Sequence, residues 1–296
     1  MSQTILISGA SSGFGAMTAQ ALADDGHTVY AGMRDVAGHN AHAAADAAQY
    51  AEENSVDLRT VELDVSDQAS VDTAVRTVTE EGDGVDVVVH NAGHMVLGPT
   101  EAFTPEQLEE IYDTNVISTQ RINRAVLPQM RERHDGLLLW VGSSSTYGGT
   151  PPYLSPYFAS KAAEDHVAKS YAVELSRFGI DSAMVIPGSF TSGTNHFAHA
   201  MSPDDKETAQ VYDELYPGLM DDVAERLAEL APPDADPTEV ARTIVRVVDT
   251  PKGRRPFRVT VDPAHDGSEE ASDVADHVRE DFYERIRLSD LLTPRP

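Results

Sequence analysis

Residues 4–15, with the sequence TILISGASSGFG, are the stretch that best indicates the fold of the chain. The apolar run 4–8 predicts a buried strand, and the helix-like sequence 14–24 follows it closely. Three glycines with G-x-x-x-G-x-G spacing connect the two: Gly9, Gly13 and Gly15. Glycines at such a turn bring backbone N–H groups and a helix N-terminus close to a ligand phosphate. The stretch therefore predicts a nucleotide-binding turn, with an ordinary glycine-rich turn as the alternative.

Short apolar runs and helical patterns continue to alternate along the chain. Strands are predicted at 4–8, 29–32, 58–63, 85–90, 137–142, 182–186 and 257–261. Helices are predicted at 14–24, 39–53, 68–80, 105–133, 155–177 and 237–249. This alternation predicts the α/β class, with a Rossmann-type doubly wound parallel sheet of about seven strands in a single domain over residues 1–263.

Two segments depart from the alternation. Residues 188–236, after the sixth strand, contain several prolines and two helical stretches, and we expect them to form a substrate lid. The alternative is a surface decoration without a role in the site. Residues 264–296 form an acidic helical C-terminal tail, whose amphipathic helix has a predicted packed face of Phe282, Ile286, Leu291 and Leu292.

The composition excludes several classes of function. The 296 residues include 22 Lys+Arg and 49 Asp+Glu, which give a net charge of −27, and no cysteine. A chain without cysteine has no disulfide scaffold, thiolate metal site or cysteine nucleophile, and the charge disfavours binding to nucleic acid or anionic membranes. The sequence lacks an apolar run of roughly 20 residues and a signal peptide at its start. We therefore expect a cytoplasmic protein that binds small molecules and no metal ion, with an acid excess that fits either high-salt adaptation or ordinary solubility.

Three further motifs end the third, fourth and sixth predicted strands. They are Asp64-Val65, His90-Asn91-Ala92-Gly93 and Pro187-Gly188. With the glycine-rich stretch, they make residues 4–262 resemble the short-chain dehydrogenase/reductase superfamily, in its shorter-chain branch. His90 stands where that family usually has asparagine, at a position that is mainly structural. The resemblance implies a nicotinamide dinucleotide cofactor held by Gly9, Ser11, Ser12, Gly13, Phe14, Gly15, Asp64, Val65, Asn91, Ala92, Gly93, Pro187, Gly188 and Thr191.

The end of the second strand bears on which dinucleotide would bind. In NAD-binding relatives an acidic residue there accepts hydrogen bonds from the ribose hydroxyls, but this position is Met33 and the next residue is Arg34. A guanidinium chelates a 2′-phosphate with two parallel hydrogen bonds, whereas a carboxylate repels it. By resemblance, Arg34 implies NADP(H). Asp35, and Ser12 where many NADP-binding relatives have a basic residue, leave NAD(H) open.

Tyr157 and Lys161 lie four residues apart in a predicted helix, so both side chains project from the same face. A phenol is hardly ionised at neutral pH, and a neighbouring ammonium in a partly dry cleft favours its phenolate form. Tyr157 can therefore exchange a proton with a carbonyl or alcohol oxygen, which Ser144, thirteen residues earlier, is expected to orient. The resemblance places Tyr157 and Lys161 at the cofactor as well. It also adds Asn115, whose backbone carbonyl would hold a water molecule in a proton relay through Lys161.

By resemblance, the predicted catalytic residues Ser144, Tyr157, Lys161 and Asn115, together with Arg34, imply an NADP(H)-dependent oxidoreductase. It would transfer a hydride between nicotinamide and a ketone or aldehyde, or a secondary alcohol, with Tyr157 as general acid and base. The alternatives are an NAD(H)-dependent alcohol dehydrogenase of the same fold and a nucleotide-binding sensor that catalyses nothing. The predicted pocket suits a medium-sized, fairly apolar carbonyl compound, with Tyr147, Tyr153, Phe190 and Phe197 available for packing. By resemblance, we expect a homodimer or homotetramer.

Overall fold

Seven parallel strands form one sheet in the computed structural model, which describes residues 2–82, 84–190, 193 and 199–294. The strands are β1 (Thr4–Ile7), β2 (Thr28–Met33), β3 (Leu58–Glu62), β4 (Val87–His90), β5 (Leu137–Val141), β6 (Asp181–Pro187) and β7 (Arg258–Val261). Their order in the sheet is β3-β2-β1-β4-β5-β6-β7, and each neighbouring pair is parallel. The predicted α/β class and doubly wound topology are confirmed.

Helices cover both faces of the sheet. They are α1 (Gly13–Asp24), α2 (Ala41–Asn54), α3 (Gln68–Glu81), α4 (Pro105–Tyr112), α5 (Ser118–Arg133), α6 (Ser155–Leu175), α7 (Lys206–Leu215), α8 (Leu219–Leu230), α9 (Thr238–Asp249) and α10 (Ser268–Arg285). Helices α1, α2 and α9 pack on one face, where Ile5 and Ile7 point, and α3, α5 and α6 pack on the other with Leu6. Within the described ranges, none of these helices is long and apolar enough to cross a bilayer.

The strand order reverses between β1 and β4, and the candidate site lies at this point of the sheet. Strand β1 pairs with β2 on one side and with β4 on the other, so that Ile5 lies opposite both Val29 and Val87. The connections after β1 and β4 leave in opposite directions and open a crevice at the carboxyl edge of the sheet. The glycine-rich turn and the 90–93 motif therefore meet in one place.

The helix predicted over 105–133 has the predicted bounds but is not α-helical throughout. It consists of α4 and α5, joined by a π-helical turn at Asp113–Ile117. An ion pair between Asp113 and Arg121 spans this turn. A π turn widens the helix by one residue, and such turns often occur at functional sites. The apolar pattern does not reveal it, because the helical periodicity resumes on both sides.

The predicted packed face of the C-terminal helix is wrong for Phe282 and Ile286, which are 54% and 43% exposed. Helix α10 instead contacts the rest of the chain through charged side chains. Asp276 Oδ2 lies 2.6 Å from Arg258 Nε in β7, and the Arg279 guanidinium lies over the Phe257 ring at 4.5 Å from its centroid. Because the Arg258 guanidinium is nearly buried and needs carboxylate partners, this ion pair decides which side of α10 faces the sheet.

His90, at the end of β4, is buried and hydrogen-bonded, as expected of a mainly structural position. The side chain is 2% exposed, its Nε2 lies 2.8 Å from Asn123 Oδ1, and its ring packs on Trp140 with 4.4 Å between centroids. Burial lowers the pKa of His90 to about 4, although the hydrogen bond to Asn123 acts in the opposite direction. The imidazole is therefore neutral in the folded protein at pH values where it is protonated in the unfolded chain.

We predict that His90 makes folding acid-sensitive. Above pH 6.5 the residue is neutral in both states, and between pH 6.5 and about 4 only the unfolded chain takes up the proton. The free energy of unfolding should therefore fall by up to about 3 kcal/mol across this range. Urea titrations at pH 7, 5.5 and 4.5 should show a steeper loss in the wild type than in His90→Asn. Parallel pH dependences would contradict this assignment.

Candidate active site

The glycine-rich turn and the loop after β4 are in direct backbone contact. Gly9 has φ +67°, and a Cβ atom there would lie 2.8 Å from Ala92 Cα. A Cβ atom on Gly15 would lie 2.4 Å from both Gly9 O and Asn91 Nδ2. Packing therefore requires glycine at positions 9 and 15, since neither position has room for a side chain.

Side-chain hydrogen bonds hold the same two loops together. Asn91 Nδ2 donates to Ser8 O at 3.0 Å and to Gly9 O at 2.9 Å. In return, Ser8 Oγ accepts hydrogen bonds from the backbone N–H groups of Asn91 and Ala92, both at 3.1 Å. Asn91 was expected along the ribose, and the structure gives it a further role in shaping the turn.

A cavity of about 320 Å³ opens beside these loops. Eleven of the predicted cofactor residues line it: Gly9, Ser11, Ser12, Gly13, Phe14, Arg34, Asp64, Val65, Asn91, Ala92 and Gly93. Gly15 packs beneath the turn, and the lining does not include Tyr157, Lys161, Pro187 or Gly188. Thr191 and Phe197 lie outside the described residues.

Several lining residues were not predicted from the sequence. They are His39, Asn40, Ser66, Glu110 and Thr114, while His199 belongs to the insertion that was predicted to cover the substrate. They come from loops and helices far apart in the chain, and no motif marks them. His94, the residue directly after the 90–93 motif, also lines the cavity. Burial, together with the charges of Arg34 and His199, lowers the pKa of His94, although Glu110 acts in the opposite direction.

The N-terminus of α1 faces the cavity. Ser12 precedes the helix and makes no side-chain capping hydrogen bond, and the first turn contains no acidic residue. The first backbone N–H groups of a helix have no partner within it, and the helix dipole adds positive potential there. The turn thus offers the donors that a pyrophosphate would need, and pyrophosphate binding there stays a prediction.

Arg34 and Asp35 have different surroundings. Arg34 is exposed at the end of β2 and lines the cavity, and no carboxylate in the described part of the chain forms an ion pair with it. Asp35 has φ +50°, and its carboxylate accepts a hydrogen bond from the backbone N–H of His39 at 2.7 Å. Glu62 accepts from the backbone N–H groups of Asp35 and Val36 at 2.6 and 2.9 Å. The loop is therefore fixed with the Asp35 carboxylate bound to its own backbone.

Helix α6 carries Tyr157 and Lys161 in its first turns. Tyr157 is 7% exposed and packs in an apolar cluster with Met95, Val96 and Leu154. Lys161 Nζ donates to Val141 O at 3.0 Å and contacts Glu164 Oε2 at 2.7 Å. Burial alone would lower the pKa of Lys161, but Glu164 and Tyr157 raise it above its ordinary value, so the ammonium stays charged.

The other two predicted catalytic residues adjoin α6. Ser144 is 9% exposed and begins a short 3₁₀ turn, Ser144–Thr146, which follows β5 and contacts α6. Asn115 lies in the π-helical turn and is fully buried. Its Oδ1 accepts from His94 N at 2.7 Å, and its Nδ2 donates to His94 O at 3.0 Å and to Ser160 Oγ at 2.9 Å. The Asn115 side chain thus ties the loop after β4 to the helix that carries Tyr157 and Lys161.

Two of the aromatic residues expected in the substrate pocket have close partners within the chain. Tyr147 accepts a hydrogen bond from Lys169 Nζ at 2.5 Å, and its ring also contacts the Arg258 guanidinium. Phe190 meets the ring of Phe14 edge-on, with 5.6 Å between centroids. These rings support the tail and the glycine-rich turn, respectively, because buried cations and an adjacent ring offer them closer partners.

The sheet, the glycine-rich turn and the residues on α6 define a Rossmann-type protein with a serine, a tyrosine and a lysine at the carboxyl edge of its strands. Comparison with known proteins narrows this class. A family model described as short chain dehydrogenase matches residues 3–202, and the chain belongs to that family. The family predicted from the sequence motifs is confirmed.

Individual relatives resemble different lengths of the chain. A 3-ketodihydrosphingosine reductase of Bacteroides thetaiotaomicron is 35% identical over 191 residues, which cover 64% of this chain and 65% of the relative. Retinol dehydrogenase 8 of Bos taurus is 31% identical over 270 residues, 86% of this chain and 80% of the relative. The structure of a short-chain dehydrogenase from Streptomyces avermitilis superposes with a TM-score of 0.76 at 27% identity, covering 97% and 98% of the two chains. The matches to the first curated relatives span 53% to 65% of their length.

Proposed function

We propose that the protein is an NADP(H)-dependent oxidoreductase that transfers a hydride between nicotinamide and a ketone or aldehyde, or a secondary alcohol. The observation that carries this proposal is the buried ammonium of Lys161, which stays charged on the same helix as Tyr157. It lies behind Gly93 of the cavity lining, 3.8 Å from where a Cβ on Gly93 would be. When bound, the nicotinamide would give or take the hydride. Burying a charge is costly, and a nucleotide sensor has no use for a buried ammonium beside a phenol. The oxidoreductase is therefore favoured over the sensor.

Each residue has a distinct task in this proposal. Tyr157 donates its phenolic proton to the carbonyl oxygen in reduction and takes a proton from the alcohol in oxidation. Lys161 favours the phenolate between these events, and the Ser144 hydroxyl holds the substrate oxygen. Asn115 positions α6 against the loop after β4 through its hydrogen bonds to His94 and Ser160. The water relay through its backbone carbonyl stays a prediction.

The choice of NADP(H) over NAD(H) rests on the loop after β2. The Asp35 carboxylate accepts a hydrogen bond from its own loop, whereas the Arg34 guanidinium has no ion-pair partner among the described residues. A 2′-phosphate would supply that partner. In a chain with a net charge of −27, Arg34 and the α1 N-terminus also provide the local positive potential that an anionic cofactor needs.

We predict that Arg34→Ala weakens NADPH binding about 10- to 30-fold and leaves NADH binding nearly unchanged. A charge-assisted hydrogen bond contributes about 1.5–2 kcal/mol at such a site, and only NADPH carries the 2′-phosphate. Fluorescence titration with both cofactors checks this, with Arg76→Ala, an exposed arginine on α3 outside the cavity lining, as the control. An equal loss for NADPH and NADH would refute the phosphate contact.

The substrate side supports a fairly apolar carbonyl compound. Tyr157 lies against Met95, Val96 and Leu154, and Met201 of the 188–236 insertion packs on this cluster. Two backbone hydrogen bonds join Met201 to the loop after β4. Leu97 N donates to Met201 O at 3.0 Å, and Met201 N donates to Met95 O at 2.9 Å. These contacts fit a role of the insertion as a lid. Two relatives named for 3-ketodihydrosphingosine and for retinol agree with an apolar substrate.

Steady-state oxidation of NADPH with a panel of ketones and aldehydes of increasing apolar size tests the proposed function. We expect turnover with at least one class, and a KM that falls as the apolar part of the substrate grows. NADPH binding without turnover on any member of the panel, in either direction, would favour the sensor instead.

A further inference from the structure

Glu164 is a buried carboxylate that directly contacts the lysine of the proposed catalytic group. It lies three residues after Lys161 on α6, is 1% exposed, and places Oε2 2.7 Å from Lys161 Nζ. The ammonium donates one hydrogen bond to Glu164 Oε2 and another to Val141 O.

The neighbouring acid, Asp165, has other partners. Its carboxylate lies 2.5 Å from Lys169 Nζ and 2.9 Å from Arg258 Nη1 of β7. Among the described residues, the charges that act on Glu164 are those of Lys161 and Asp165. Burial raises the pKa of Glu164, Lys161 opposes this, and the charge of Asp165 adds to the rise.

The geometry has two consequences. A buried carboxylate beside an ammonium fixes the position of the lysine head, because breaking such a pair leaves an uncompensated charge. The carboxylate also offsets part of the positive field that the lysine exerts on its other neighbours. Tyr157 precedes Lys161 by four residues on α6, which brings the two side chains to one face of the helix and the phenol into that field.

We propose that Glu164 is a positioning residue that anchors the Lys161 ammonium against β5 and limits how strongly it favours the phenolate of Tyr157. The inference rests on the proposed function. A carboxylate at this position makes the tyrosine a better acid-base group in both directions, because an unopposed ammonium would hold the phenolate too firmly to return the proton.

The test is the pH profile of alcohol oxidation at saturating NADP⁺. In Glu164→Gln, the amide oxygen can still accept a hydrogen bond from the lysine ammonium, but the negative charge is gone. The acid limb of the kcat/KM profile should therefore move to a pH about one unit lower. Glu164→Asp retains the charge and should keep the acid limb of the wild type. Asp165→Asn removes a buried negative charge one residue further along the helix and should produce a clearly smaller shift. Coincident acid limbs in Glu164→Gln and the wild type would overturn the proposal.

A second measurement does not depend on turnover. Lys161→Met and Glu164→Leu should each lower the Tm, and the double variant should be more stable than either single one, because no buried charge is left unpaired. Additive losses would overturn the pairing. If the wild type turns over no substrate, the proposed function fails, and this cycle still decides whether Glu164 and Lys161 act as a pair.

Discussion

Tyr157→Phe is expected to lower kcat about a thousandfold while the affinity for NADPH stays close to that of the wild type. The substitution removes one hydroxyl group and keeps the ring, which packs in the apolar cluster with Met95, Val96 and Leu154. The fold and the cavity should therefore persist, and only the proton transfer is lost. Single-turnover oxidation of NADPH, with a parallel binding titration, separates the two effects.

The matched control is Tyr171→Phe, on the same helix. Its hydroxyl donates to Gln120 Oε1 on α5 and lies outside the proposed catalytic group. This variant should retain most of the activity. A Tyr157→Phe enzyme that keeps more than a tenth of the wild-type kcat would show that another group transfers the proton.

Gly9→Ala is expected to weaken NADPH binding about 100-fold, which corresponds to about 2.7 kcal/mol. Alanine at φ +67° is strained, and its Cβ would lie 2.8 Å from the backbone of Ala92. The two loops would have to separate, and the hydrogen bonds of Asn91 and Ser8 couple their movement. Several phosphate-binding N–H groups would then leave their places together.

Gly26→Ala provides the control for backbone strain alone. Gly26 has φ +90°, but an added Cβ would meet nothing within 4 Å. We expect it to lose about 1 kcal/mol of unfolding free energy and to bind NADPH normally. Calorimetric titration and urea unfolding of both variants give the comparison. Equal losses of NADPH affinity in the two alanine variants would mean that the loop contact at Gly9 does not matter for binding.

The amino-acid sequence was sufficient for the fold class and, through the family resemblance of its motifs, for about half of the cavity lining. Strand–helix alternation and a glycine-rich turn are local properties, since they depend on which faces are apolar and on where a side chain has no room. The spacing of Tyr157 and Lys161 is local as well, because four residues bring two side chains to one face of a helix. These features lie within one or two elements each, and no long-range contact is needed to infer them.

Other features depended on contacts between distant parts of the chain. The ion pair between Asp276 and Arg258 orients α10 so that its apolar face points outward. The π-helical turn at Asp113–Ile117 cannot be inferred from the apolar pattern, which is helical on both sides of it. The spacing of Lys161 and Glu164 also suits an ordinary exposed ion pair on a helix. Only the packing of α6 against the sheet shows that this pair is buried, and burial is what makes a single carboxylate matter to the proposed chemistry. The sequence by itself therefore determined the fold and the residue types of the site, whereas the tertiary structure decided which charges face each other out of water.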